Sequence, residues 1–210
     1  MSFETVDLPQ NSAAWLRWRH DGIGASEAPA LMGENPWKSA ERLFREKAAP
    51  PPAGNWVAGG GTSGSSAGAG GGAGAGGAMG RGHALEPHAR AHYVTATGID
   101  VAALCVASQA RPWQRASLDG ICTVARRLVE IKCGDKVYAL TEASGEVPGY
   151  YVGQLQHTLA VTGYDSIDFW VWLPGKPPLH LTVARDEDYI DRLNERGAAF
   201  WARVMAARAA

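Results

Sequence analysis

The chain has 210 residues, which is enough for one domain with a sizeable core. Its hydrophobic fraction of 46% and charged fraction of 20% are ordinary for a globular protein. The formal net charge of -1 excludes indiscriminate binding of nucleic acid by bulk charge, so any contact with DNA must depend on a local basic surface.

The cysteine pattern argues against several classes of site. Cys105, Cys122 and Cys133 include no CxxC pair, which disfavours a disulfide framework, a zinc knuckle and a four-cysteine iron–sulfur cluster. The N-terminus lacks a basic region followed by an apolar run, and no apolar run is long enough to cross a membrane. We therefore expect reduced cysteines in a cytoplasmic protein without membrane association.

The first half of the chain has a helical pattern. Capping residues and apolar periodicity predict helices from Asn11 or Ser12 through Trp18, over 26–32, over 39–47 with Ser39 as N-cap, and over 82–97. Residues 58–78 contain only Gly, Ala, Ser and Thr, and 11 of these 21 residues are Gly. Such a segment buries too little apolar surface to offset the entropy of ordering it. We expect a flexible loop within a single domain that spans residues 1–210.

The second half alternates strands and helices. Short runs rich in β-branched and apolar residues predict strands over 99–107, 114–118 and 127–133, with a turn at Asp119-Gly120. A helix over 148–161, strands over 167–173 and 179–184, and a closing amphipathic helix over 186–206 follow. This order predicts an α/β (α+β) fold in which helices flank a mixed central β-sheet.

The chemically informative residues are Asp119, Glu130 and Lys132. Glu130 and Lys132 occupy alternate positions on an apolar strand, so their side chains project from the same face. A carboxylate and an ammonium on such a strand are costly to bury unless something pairs with them. Asp119 and Glu130 could share a Mg²⁺ ion that activates water at a phosphate, with Lys132 stabilising the developing charge. The alternative from spacing alone is a Glu130–Lys132 ion pair on an exposed strand face.

Further polar residues could join this site. Glu86, on the helix before the strands, is a candidate metal or water ligand; the alternative is a solvated carboxylate. Gln154 could contact a phosphate or a metal-bound water, and it shares a helix face with His157. By itself, His157 is more typical of a partly buried structural histidine.

A phosphate-binding feature lies near the N-terminus. The glycine turn at residues 22–24 leads into a predicted helix that begins at Ser26, which would present backbone N–H groups and a hydroxyl to a phosphate. Arg19 could add bidentate contacts. The alternative is an ordinary Ser N-cap beside surface arginines.

Taken together, the motifs resemble the YqaJ-type viral recombinase family, which is similar to lambda exonuclease and is a branch of the PD-(D/E)XK nucleases. The resemblance runs in family order along nearly the whole chain apart from the glycine-rich segment. It is carried by Trp15…Arg19, Gly22-Ile23-Gly24-Ala25-Ser26-Glu27, Leu43-Phe44-Arg45-Glu46-Lys47, Met79-Gly80…Leu85-Glu86-Pro87…Ala89-Arg90, Ala116-Ser117-Leu118-Asp119-Gly120, Leu128-Val129-Glu130-Ile131-Lys132-Cys133, Gln154-Leu155-Gln156-His157 and Val161-Thr162-Gly163.

The resemblance implies a Mg²⁺-dependent exonuclease, with Mn²⁺ as a substitute metal. Such an enzyme degrades one strand of linear duplex DNA 5′ to 3′, leaves a 3′ overhang, forms a homotrimer and works with a single-strand annealing protein in phage recombination. A phage or prophage origin in a bacterial host is implied as well. The implied metal-binding residues are Glu86, Asp119, Glu130 and Ile131, the catalytic residues also include Lys132 and Gln154, and Arg19 and Ser26 receive the 5′-phosphate.

Two positions depart from the family pattern. Leu118 replaces a proline before the aspartate, which should alter the turn and leave the acid, and the glycine-rich segment replaces a more complex loop. Two other functions stay open: an endonuclease or repair nuclease on the same core, and a non-catalytic module that binds DNA ends.

Overall fold

The computed structural model describes residues 3–51 and 75–210, without the side chains of residues 75–80 and 83. A 3₁₀ turn covers Ala25–Glu27. The strands are β1 Phe3–Val6, β2 Ile23–Gly24, β3 Ala102–Ser108, β4 Gln114–Cys122, β5 Arg127–Lys132, β6 Ser166–Val171 and β7 Leu179–Ala184. The helices are α1 Ala13–His20, α2 Ala28–Met32, α3 Ala40–Ala48, α4 Ala75–Thr97, α5 Asp135–Ser144, α6 Gly149–Thr162 and α7 Glu187–Ala209.

In the described part of the chain, the strands form one seven-stranded sheet in the order β1-β3-β4-β5-β6-β7, with β2 added beside β4. Most neighbours are antiparallel; β5 and β6 are parallel, as are β2 and β4. The parallel pair needs a crossover, which α5 and α6 provide. The prediction of a mixed sheet flanked by helices is therefore confirmed.

Each face of the sheet is covered by helices. One face packs against α6 through a core that includes Leu128, Leu155 and Phe169. The other face packs against α4, where Tyr93 contacts a core that includes Trp170. Alternate residues of β5 thus enter opposite cores, as expected for a strand buried on both sides.

The Asp119-Gly120 pair is a β-bulge and not the predicted turn. The register of β3 against β4 shifts between Ala102 and Leu104, so Ala103 lies opposite both Asp119 and Gly120. A bulge of this kind bends the strand and re-aims a side chain. Strand β4 accordingly continues beyond both residues, and the prediction that it ends at 118 is wrong.

Close packing explains the glycine in the bulge. A Cβ atom at Gly120 would lie 2.6 Å from Val129 Cγ1 and 2.8 Å from Val101 Cγ2. Real side chains do not tolerate such distances, so the position requires the absence of a side chain. The Asp-Gly pattern indicated an irregular backbone correctly, but its type depends on the partner strands.

The helix predictions are largely correct at their ends. Ser12 and Ser39 cap α1 and α3 by accepting backbone N–H bonds of 3.1 and 3.2 Å. Gly163, with φ +67°, ends α6 as predicted. The helix predicted over 26–32 is instead a 3₁₀ turn followed by α2, so Ser26 is not its first residue.

The glycine-rich segment is only partly described. Residues 58–74 lie outside the described residues, so the predicted loop is not tested there. Residues 75–78 belong to α4, and the prediction is wrong for them. A helix that is already anchored by packed residues extends at low cost, because each added residue gains one backbone hydrogen bond.

Candidate active site

The site begins where β4 and β5 separate. The two strands are paired from Cys122↔Arg127 to Gly120↔Val129. Beyond the bulge, Asp119 Oδ2 accepts the backbone N–H of Ile131 at 2.8 Å, so a side chain replaces the next bond of the ladder. N–H and C=O of one strand residue point to the same side. The Ile131 carbonyl therefore lies on the Asp119 edge of β5.

Glu130 and Lys132 project together from β5, as the alternation predicted. Lys132 Nζ lies 2.5 Å from Glu130 Oε1, and Gln154 Nε2 on α6 donates to the same oxygen at 2.6 Å. Glu130 is only 4% exposed, which excludes the alternative of an ion pair on an exposed strand face. The structure thus brings a lysine of the same strand and a glutamine of a helix to one buried carboxylate.

The aromatic ring of Tyr151 forms one wall of this cluster. Lys132 Nζ lies 4.8 Å from the centre of the Tyr151 ring, which favours the cation through its electron-rich face. Tyr151 is half-buried and precedes Gln154 by three residues on α6, so both side chains share one helix face. Helix α6 therefore contributes an amide and an aromatic ring to the site.

Glu86 approaches from α4 together with Arg90. Arg90 Nη2 donates to Glu86 Oε1 at 2.5 Å, and Arg90 Nε donates to the backbone carbonyl of Asp119, also at 2.5 Å. The arginine thus links the helix to the bulge. Glu86 is partly buried, which does not support its interpretation as a solvated carboxylate.

The three acids raise one another's pKa. Burial raises the pKa of Asp119 to about 6, and the charge of Glu86 adds to this effect. Burial and the charge of Asp119 raise the pKa of Glu130 to about 7. The pKa of Glu86 is raised by burial and by Glu130. The negative charge of one acid therefore raises the pKa of the next, and a bound cation would offset this repulsion.

The predicted acidic ligands do not form a compact group. Within residues 3–51 and 75–210, no three His, Cys, Asp or Glu side chains converge closely enough to hold a metal ion. The carboxylates of Glu86, Asp119 and Glu130 are instead bonded to Arg90, the Ile131 N–H, and Lys132 with Gln154. These partners stabilise the carboxylates by hydrogen bonds and opposite charge.

The predicted phosphate-binding residues are in direct contact. Arg19 Nη2 donates to Ser26 Oγ at 2.8 Å, and the Arg19 guanidinium stacks 4.6 Å from the Trp15 ring centre. The Ser26 side chain is exposed and Arg19 half-buried, so both are accessible to a ligand.

A buried ion pair fixes the turn that carries Ser26. Lys47 Nζ lies 2.9 Å from Glu27 Oε2 and donates to the Arg19 carbonyl at 2.7 Å. Glu27 Oε2 also accepts the Gly24 N–H at 2.8 Å. Burial would raise the pKa of Glu27, but the charges of Lys47 and Arg19 outweigh it and lower the pKa. Glu27 thus stays ionised and holds the turn.

This pocket is attached to the strand that carries the bulge. Trp15 Nε1 donates to Ser117 Oγ at 2.8 Å, and Ser117 precedes Asp119 by two residues on β4.

His157 belongs neither to the Arg19–Ser26 pocket nor to the cluster around Glu130. It is buried, and its Nε2 lies 3.1 Å from the Arg115 carbonyl, in agreement with a structural histidine.

The comparisons with known proteins now identify the family. The model of the YqaJ-like viral recombinase domain matches residues 14–165. The chain belongs to the YqaJ-like viral recombinase family. The matched residues include both the Arg19–Ser26 pocket and the cluster around Glu130. No match was found among curated proteins.

Solved structures extend the similarity to nearly the whole chain. An alkaline exonuclease from Laribacter hongkongensis, LHK-Exo, superposes with a TM-score of 0.75 at 26% identity, covering 94% of this chain and 95% of that one. The same enzyme in complex with dAMP gives 0.73 at 25% identity and the same coverage. A phage-related exonuclease from Haemophilus somnus 129PT, at 14% identity, TM-score 0.55, and coverage of 87% and 93%, supports the fold alone. The fold of this YqaJ-like chain is that of the PD-(D/E)XK nucleases.

Several residues of the site were not predicted from the sequence. Arg90 was detectable in principle, because Glu86 and Arg90 have the i,i+4 spacing of helical ion pairs. Tyr151 and Lys47 carried no such local signal, since their partners lie on other elements.

Among the described residues, no helix has the length and apolar character needed to cross a bilayer.

Proposed function

We propose that this protein is a metal-dependent exonuclease that degrades one strand of linear duplex DNA from its end, 5′ to 3′, and leaves a 3′ overhang. The observation that carries the proposal is the buried carboxylate of Glu130, which is bonded by Lys132 and Gln154 next to the bulge at Asp119. Family membership and the similarity to an alkaline exonuclease over 94% of the chain support it.

The donor atoms fit a hard divalent cation. Asp119, Glu130 and the Ile131 carbonyl offer oxygen ligands of the kind that Mg²⁺ and Mn²⁺ prefer, and Glu86 is the further candidate on α4. The raised pKa values of Asp119 and Glu130 fit this role, because a cation would offset the charge that burial penalises. When bound, Mg²⁺ would lower the pKa of a coordinated water and offset charge on the phosphate.

Lys132 serves as a fixed positive charge. Burial alone would lower the pKa of Lys132, but the charges of Glu130 and Asp119 outweigh it and raise the pKa. The ammonium therefore stays protonated at neutral pH and can stabilise negative charge that develops on the scissile phosphate. Gln154 orients the Glu130 carboxylate through its amide N–H.

Arg19 and Ser26 receive the 5′-phosphate in this proposal. A guanidinium and a hydroxyl in contact can both donate to phosphate oxygens, and charge-assisted bonds of this type are strong. The buried Lys47–Glu27 pair keeps the two groups in place, so little ordering is required when DNA binds. On the family resemblance, we also propose a homotrimer that acts with a single-strand annealing protein.

Digestion of defined duplexes tests the proposal. Linear DNA with 5′-phosphate ends should release nucleotides only with Mg²⁺ or Mn²⁺, and 5′-hydroxyl ends should react more slowly. Labels at the 5′ and 3′ ends establish the direction. Covalently closed circular duplex is the control, since cleavage of it would indicate an endonuclease instead. Binding without any digestion would indicate a non-catalytic module that binds DNA ends.

A further inference from the structure

Trp37 is a large aromatic side chain at the surface, and packing in a hydrophobic core does not account for its position. It is 60% exposed, yet its backbone is well anchored. Asn35 Oδ1 accepts the backbone N–H groups of Trp37 and Lys38 at 2.8 and 2.9 Å, which fixes the loop between α2 and α3. An indole held outward on an ordered loop is pre-organised for contact with a ligand.

A continuous row of rings connects Trp37 to the site. Trp37 and Tyr150 pack edge to face with ring centres 5.0 Å apart, and Tyr150 lies 4.6 Å from Tyr151. Tyr151 in turn lies 4.8 Å from Lys132 Nζ. Lys136 adds positive charge at the outer end, with its Nζ 5.6 Å from the centre of the Trp37 ring.

We propose that Trp37 and Tyr150 form a stacking platform for a base of the DNA strand whose phosphate reaches Lys132; this inference rests on the proposed nuclease function. Every base offers a flat π-face, so aromatic side chains hold nucleic acid without selecting its sequence. Three contacts of about 5 Å separate Trp37 from Lys132. At a rise of about 3.4 Å per nucleotide, the platform lies within about four base steps of the scissile phosphate.

Binding and turnover of three variants test the platform. Trp37→Ala should weaken metal-free binding of a fluorescein-labelled duplex roughly 5- to 150-fold and raise KM in Mg²⁺ similarly, with little change in kcat. Trp37→Phe should keep most of the affinity because it keeps a ring. Met205→Ala is the control, since Met205 is 49% exposed on α7 and is expected to have no effect.

The salt dependence distinguishes stacking from charge. Loss of a phosphate contact, as in Arg19→Ala, should reduce the slope of log affinity against log salt by about 0.9. Trp37→Ala should lower affinity at every salt concentration and leave this slope unchanged, because stacking releases no counterions. A reduced slope for Trp37→Ala would overturn the stacking assignment.

Photocrosslinking locates the base directly. Duplexes carrying 5-iododeoxyuridine at successive positions from the 5′ end should crosslink to Trp37 itself at one or two neighbouring positions. Fragmentation of the tryptic peptide of residues 20–38 in the mass spectrometer distinguishes Trp37 from Ser26, which lies in the same peptide. Unchanged affinity of Trp37→Ala, absence of that crosslink, or a changed oligomeric mass with normal DNA binding would each overturn the platform. If the wild-type protein binds through Trp37 but never digests DNA, the nuclease function fails while the platform stands.

Discussion

Removal of one member of the buried ion pair between Lys47 and Glu27 should destabilise the fold strongly. The Lys47 side chain is 5% exposed and that of Glu27 16%. Lys47→Met removes the cation, while the hydrogen bond from the Gly24 N–H to Glu27 Oε2 remains. Removal of one partner from a buried pair costs about 3–5 kcal/mol, because the other charge stays buried. The charge of Arg19 still compensates Glu27 in part, so we expect a loss near the lower end of this range.

Urea denaturation, followed by circular dichroism, measures this loss. Lys38→Met is the matched control: Lys38 contacts Glu46 at 2.5 Å, but the two side chains are 29% and 39% exposed. An exposed pair of this kind contributes less than about 1 kcal/mol. A fall in unfolding free energy for Lys47→Met that is no larger than for Lys38→Met would refute the reasoning.

A double variant keeps the test informative even if Lys47→Met does not fold. In Lys47→Met with Glu27→Gln, no uncompensated charge is left, and the Gln amide oxygen can still accept the Gly24 N–H. Replacement of both charges should therefore recover most of the lost stability. A double variant as unstable as Lys47→Met, or more so, would show that the cost does not come from the isolated carboxylate.

Three further predictions concern packing, pH and the phosphate pocket. A Cβ at Gly153 would lie 2.9 Å from Tyr189 Oη, whereas one at Gly149, on the same helix, meets nothing within 4 Å. Urea denaturation should therefore show Gly153→Ala destabilised by about 1–3 kcal/mol and Gly149→Ala unchanged or more stable. Equal effects of the two substitutions would contradict this prediction. Burial lowers the pKa of His157 to about 4, below the usual 6.5, so its contribution to stability is present above pH 6.5 and is lost as pH falls towards 4. Over that pH window, the free energy of unfolding of His157→Gln should fall by up to about 3 kcal/mol less than that of the wild type. Parallel pH–stability curves for the two proteins would contradict this prediction. Arg19→Ala should remove the preference for 5′-phosphate over 5′-hydroxyl duplex ends in a digestion assay, and an unchanged preference would exclude Arg19 from the pocket.

Local pattern predicted much of the fold because the pattern itself causes the structure there. Alternation on β5 placed Glu130 and Lys132 on one face, and this is what the structure shows. Ser39 caps the start of α3 and Gly163 caps the end of α6, as predicted, because a cap depends on neighbours within four residues.

Elements that depend on distant partners were not predicted. Strand β1 is four residues long and pairs with β3, about a hundred residues away in sequence. Helix α5 is an exception, because it was not predicted although a local signal was present: Gly145, with φ +68°, is a typical C-cap. The bulge at Asp119 could not be distinguished from a turn, because its register is set by β3.

The same limit applies to the site. Asp119, Glu130 and Lys132 lie within a short stretch of sequence, and their spacing indicated them. Tyr151 and Lys47 contact their partners across 19 and 28 residues, and no local pattern points to them. The i,i+4 spacing indicates the contact of Arg90 with Glu86, but not its bond to Asp119, 29 residues away. Tertiary contacts of this type become visible only when the sheet is assembled.

The most direct test of the central claim is the Mg²⁺-dependent digestion of linear duplex DNA by Asp119→Asn and Lys132→Met. Both variants should release nucleotides at least about 100-fold more slowly than the wild type while binding DNA ends with similar affinity. Asp119→Asn loses a metal-binding carboxylate, and Lys132→Met loses the positive charge that stabilises the reacting phosphate. Wild-type rates in either folded variant would contradict the account.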